Sequence, residues 1–257
     1  MTFQYLPVEQ AIPHPGLRMV VVGNVPSPWG EAAKGILHIK GIDWVAVRLA
    51  YDSEPLKQWT GGQLNGPIAF YEQERPRSGW AEILLLAEHL KPTPSLLPAE
   101  PAERALAFGL AHEILGEGGL CWTRRLQLVN AGLQDKPGFP APVAKYLAKK
   151  YGYSQEAATA YGTRVQALLG MLAKRLKQQR DAGSSYYVGN ALTAVDIYSA
   201  TAMALFGPLP HEQCAMKADT RAAFEALDAQ TKAALDPILF EHRDRLYAQH
   251  LELPLSL

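Results

Sequence analysis

The sequence predicts an α/β domain followed by an all-helical domain. Two short apolar runs near the start, residues 18–23 and 43–49, flank a stretch of helical periodicity. A segment with four prolines, residues 91–101, then blocks both helix and sheet. Beyond it the strand signals disappear, and Ala, Leu, Lys, Glu and Gln recur at helical spacing.

Residues 1–17, with prolines at 7, 13 and 15 and Gly16, read as an extended arm. Order begins at Arg18: residues 18–23 are β-branched and end in turn residues, as a buried strand does. A helix follows to Lys40, with Pro28 in its first turn, where a missing N–H costs nothing, and Gly41 at its stop. Residues 43–49 alternate as a second strand, so the connection is a parallel, right-handed βαβ unit. Past a loop holding Gly61 and Gly62, residues 67–75 read as a short hairpin and residues 78–90 as a helix. The order βαβ then ββα is that of a thioredoxin-like domain over residues 18–90, with residues 91–101 as a linker. An all-helical domain over residues 102–257 completes the chain, with helices predicted at 102–116, 141–151, 155–180, 193–205 and 220–249.

Charge narrows the function. Of 257 residues, 25 are basic and 25 acidic, which removes the electrostatic drive toward nucleic acid or an anionic membrane. Small ligands or other proteins are the expected partners. The two cysteines, Cys121 and Cys214, stand in no metal-ligand or redox spacing and read as buried thiols. No metal is expected. With no leader-like start and no apolar run of membrane-spanning length, the expected location is the cytoplasm.

Two local motifs carry chemistry. Residues 24–30, Asn-Val-Pro-Ser-Pro-Trp-Gly, lie where the first strand meets the first long helix and unpaired N–H groups face outward. An anion such as a thiolate is stabilised there, and Ser27 either donates to it or simply caps the helix. Gly66-Pro67 opens a predicted strand; a cis bond would turn the Gly66 backbone toward a peptide ligand, and a trans bond would make Pro67 an ordinary edge proline.

Taken together these motifs resemble the glutathione transferase superfamily over nearly the whole chain. Ser27-Pro28-Trp29 followed by Lys40-Gly41-Ile42 is similar to that family's activating residue, first helix and turn. Gly66-Pro67 falls at the family's cis-proline, and Ser78 at the serine that opens its third helix and binds the γ-glutamyl carboxylate. Leu96-Leu97-Pro98 resembles the interdomain linker. Leu192-Thr193-Ala-Val-Asp196, after Tyr187-Val-Gly189, resembles its buried N-capping motif, in which Thr193 and Asp196 form a capping box that serves folding.

The resemblance implies an enzyme that conjugates the glutathione thiolate to a small hydrophobic electrophile, or returns glutathione unchanged as a lyase or isomerase. The alternative is a non-catalytic binding or protein-interaction module on the same scaffold. Ser27 would be catalytic, and Trp29, Gly66, Pro67, Arg77 and Ser78 would bind glutathione, in a homodimer. Arg77 departs from the family, which has Glu or Gln there, and a guanidinium favours a carboxylate over an ammonium. The second-substrate wall falls at residues 112–125, where His112 reads as a structural or surface residue and Arg124 and Arg125 as solvated or paired.

Overall fold

A computed structural model describes residues 3–257. Its first part is a three-stranded sheet of order β2-β1-β3, built from β1 (Leu17–Val21), β2 (Trp44–Arg48) and β3 (Ile68–Tyr71). β1 runs parallel to β2 and antiparallel to β3, with Met19 opposite both Ala46 and Ala69. The predicted hairpin is cut short: β3 meets its return strand only at Arg77, whose backbone exchanges bonds of 2.8 and 2.9 Å with Ala69.

Residues 3–16, expected as an extended arm, pack along the sheet. Tyr5 bridges Ala46, and α1 (Val8–Ala11) packs on β2. Residues 1 and 2 of that arm lie outside the described residues. A second helix absent from the sequence reading, α3 (Glu54–Trp59), starts where Ser53 caps the N–H of Leu56 at 3.3 Å. Its signal was Ser53 followed by Pro55 in the first turn.

Because side chains alternate along a strand, the two faces of the sheet bury separate cores. Val20, Val47, Ile68 and Phe70 pack with Ala11 and Leu56 under α1 and α3. Leu17, Met19 and Val21 face the other way, toward α2 (Pro28–Lys40) and α4 (Trp80–Leu90), in a core that continues into the helical part.

The helical part comprises α5 (Pro101–Leu115), α6 (Leu120–Leu133), α7 (Ala141–Tyr151), α8 (Ala158–Asp181), α9 (Ala194–Ala202), α10 (Ala218–Glu225), α11 (Ala229–Ala234) and α12 (Pro237–His250). α6 was not anticipated as a helix, and the single helix expected over 220–249 is three, broken before Asp228 and Asp236, which each cap the next helix. At the centre, α9 contacts α2, α5 and α12. The linker is docked rather than free: buried Lys40 donates to the carbonyls of Lys91 and Pro94, each at 2.7 Å, and pairs with Glu88 at 2.7 Å. Among the described residues no helix is long and apolar enough to cross a membrane.

Candidate functional site

Ser27 stands at the N-cap of α2 in extended conformation, and its carbonyl accepts from Glu31 N–H at 2.8 Å. The hydroxyl makes no capping bond, and the side chain is buried. The first-turn N–H groups of Trp29 and Gly30 have no intrahelical acceptor, so an anion beside Ser27 would meet the positive end of the helix. Trp29 projects across to the helical part, where its Nε1 donates to the Leu115 carbonyl at 2.8 Å.

The Gly66-Pro67 bond is cis. A Cβ on Gly66 would come within 3.2 Å of Val22 N and 3.3 Å of Val20 O, so a side chain here would press the end of β1 aside by a few tenths of an ångström. Gly66 and Pro67 share a cleft of about 530 Å³ with Trp29 and Ser78, closed on the far side by His112, Leu115 and Trp122 and by Tyr146, Lys150 and Tyr151 of α7. A second cavity of about 350 Å³ holds Ser27, Val22 and Val25 against Arg125, Phe139, Leu147 and Phe224. Gly66, Tyr146, Lys150 and Tyr151 line both, so the two are adjoining chambers of one cleft between sheet and helices.

Two expected residues are placed differently. Arg77 lines neither chamber; its guanidinium pairs with Glu74 at 2.5 Å. Ser78 lines the larger chamber but does not open a helix, because α4 begins at Trp80 with Gly79 as its N-cap. Glu82, one turn into α4, reaches back so that its carboxylate accepts from the N–H groups of Ser78 and Gly79 at 3.2 and 3.4 Å. Arg75 bonds the same carboxylate at 2.8 Å and is the main reason its pKa lies below the usual range.

α7 supplies what sequence reasoning did not identify. The Arg125 guanidinium lies 4.8 Å from the Trp29 ring and 5.1 Å from that of Tyr151, and it donates to the Tyr151 hydroxyl at 2.5 Å. Lys150 donates to the Leu64 carbonyl at 3.0 Å, and burial, then the charge of Arg125, pushes its pKa down. Tyr51, on the same wall, is pushed up by burial and then by Tyr146. Tyr146 and Lys150, four residues apart, share one face of α7, and Tyr151 follows at its end, a weak signal without a partner in view. Arg124 is structural: it is buried, bonds the carbonyls of Leu205, Phe224 and Ala226, and burial lowers its pKa to about 10. His112 is exposed and lines the larger chamber.

No family model and no curated protein matches the sequence. Solved structures do. A glutathione S-transferase from Methylobacterium radiotolerans in complex with glutathione sulfonate superposes with a TM-score of 0.61 at 19% identity, covering 91% of each chain. A glutathione transferase family member from Pseudomonas fluorescens with two glutathiones bound gives 0.62 at 16% identity, covering 94% of each. A β-etherase from Sphingobium gives 0.57 at 15%, covering 90% of this chain and 99% of its own. With an α/β sheet domain carrying the cis-proline, an all-helical domain and a cleft between them, the chain has the glutathione S-transferase fold.

Proposed function

We propose that the protein is a glutathione-dependent enzyme that directs the glutathione thiolate at an electrophile held against the helical part. The observation that carries this reading is the meeting, in one cavity, of Ser27, with its hydroxyl unused by the helix, and Gly66 of the cis Gly66-Pro67 bond. In the proposed complex the Gly66 backbone pairs with the cysteinyl backbone, Trp29 and Pro67 wall the tripeptide, and Ser78 lies toward its γ-glutamyl end. Ser27 donates to the sulfur. The thiol proton leaves to solvent, the thiolate forms a bond to an electrophilic carbon, and the leaving group departs with its electron pair. In a lyase or isomerase the sulfur would be released again. Arg77, held by Glu74, is left out of the proposed contacts.

One feature favours a non-catalytic binding or protein-interaction module. The Glu82 carboxylate already takes the Ser78 and Gly79 N–H groups that a γ-glutamyl carboxylate would use. A homodimer belongs to the proposal as well, with Leu85 of α4 and Leu106 of α5 offering exposed apolar surface.

Calorimetric titration with reduced glutathione and with S-methylglutathione tests the reading. Binding of both, with turnover of an electrophile lost in Ser27→Ala while binding persists, supports an enzyme. Binding unaccompanied by turnover of any electrophile or thioether supports the module, and absence of binding overturns the enzyme and leaves a module that takes protein partners or another anion.

A further inference from the structure

Buried Lys34, Lys40 and Arg124 each have their charge met within the fold. Lys34 has Glu31 at 2.8 Å and Lys40 has Glu88 at 2.7 Å, while buried Arg124 is surrounded by carbonyls. Arg125 and Lys150 differ. Among the described residues neither has a carboxylate within salt-bridge distance, although both line the smaller chamber. An arginine carries five N–H donors and an ammonium three. Arg125 spends one on the Tyr151 hydroxyl and leaves its buried Nε without a partner; Lys150 spends one on the Leu64 carbonyl. The one carboxylate on that chamber's wall, Asp219, is exposed and paired with neither.

Two like charges held close and partly out of water raise each other's cost, and an anion between them relieves it. The depressed pKa of Lys150 has this same origin, in burial and the nearby Arg125. The rest of the chamber is apolar and aromatic, with Val25, Phe139, Leu147 and Phe224 facing Tyr51 and Tyr146. Its volume of about 350 Å³ lies at the small end of ligand cavities.

We propose that Arg125 and Lys150 form an anion site in the smaller chamber, and that the second ligand of this protein is an aromatic carboxylate rather than a neutral hydrophobe. The guanidinium fork takes the carboxylate, Lys150 adds its charge, and the ring lies on the apolar wall beside Ser27. The substrate class rests on the glutathione reading, whereas the anion site does not require it. A carboxylate could also come from glutathione itself, through its glycyl end, so the experiment must separate the two sources.

The test is calorimetric titration of the full chain with 2-naphthoate and with 2-naphthamide, which share shape and differ in charge, with glutathione titrated in parallel. Naphthoate is expected to bind at least about tenfold more tightly than naphthamide, the range set by one charge-assisted hydrogen bond. Arg125→Met and Lys150→Met should each remove most of that preference and leave naphthamide and glutathione affinity within about threefold. Arg125→Lys and Lys150→Arg, which keep the charge, should restore part of it and control for folding. Equal affinity for the two probes overturns the proposal. So does a loss of glutathione affinity with the naphthoate preference intact in the Met variants, which would assign the cations to the glycyl carboxylate. A naphthoate preference that persists with no glutathione binding at all supports the anion site and removes only the glutathione reading.

Discussion

The indole Nε1 of Trp29, in the first turn of α2, donates to the carbonyl of Leu115 in the last turn of α5, 2.8 Å away. This single bond joins the helix that opens at Ser27 to the helical wall of the same cleft. It spans 86 residues of sequence. Replacing Trp29 with Phe keeps an aromatic face for Arg125 and removes the donor. The expected loss is about 1 kcal/mol of stability, the net worth of an ordinary hydrogen bond, measured by urea unfolding. An unchanged midpoint would show that the contact does not couple the two parts.

Ser27→Ala separates capping from chemistry. A serine that bonds its helix loses about 1 kcal/mol on truncation, but this hydroxyl makes no such bond, so a change below about 0.5 kcal/mol is expected. Turnover with glutathione should nevertheless fall by about tenfold or more, because a hydrogen bond to a charged sulfur is worth more than a neutral one. The ultraviolet absorbance of bound thiolate, followed against pH, should show the thiol titrating at higher pH in the variant. A large stability loss with unaltered thiol titration would assign Ser27 to the helix alone.

Asp196 tests the folding motif. Its carboxylate, fully buried, accepts from Tyr187 N–H, Thr193 N–H and the Thr193 hydroxyl, each at 2.9 Å. Asp196→Ala leaves these donors buried and unsatisfied, at a cost of about 3 kcal/mol or more. Per folded molecule, glutathione affinity should not change, since the residue lines neither chamber.

Lys150 sets a pH dependence. Burial and Arg125 hold its pKa below the ordinary 10.5, so between the lowered value and 10.5 the folded protein binds fewer protons than the unfolded chain. Stability contributed by this group therefore rises with pH across that window and is least where the ammonium is charged. Anion binding runs the opposite way: naphthoate affinity should fall as pH rises through the lowered value. The groups facing Lys150 are Arg125 of α6, Tyr146 and Tyr151 of α7, and Tyr51 after β2, whose hydroxyl burial keeps neutral. Lys150→Met should abolish both slopes; a naphthoate profile unchanged in that variant would place the titrating group elsewhere.

The sequence by itself determined the βαβ start, the proline-rich linker, the all-helical second part, the capping box at Thr193 and Asp196, and the Ser27-Pro28 and Gly66-Pro67 motifs that the structure carries to one cleft. These are legible because hydrophobic period, proline, glycine and capping chemistry act over a few residues. Tertiary structure alone decided the rest. α4 starts at Trp80 rather than Ser78 because the Glu82 carboxylate folds back onto the preceding N–H groups under the hold of Arg75. Residues 3–16 lie along the sheet because β2 offers Tyr5 a free backbone edge and α1 an apolar face. Arg125, an ordinary surface charge when read in sequence, lies against Trp29 and Tyr151 beside Lys150. Whether a charge has a partner depends on which distant segments meet around it, and local sequence carries no record of that encounter.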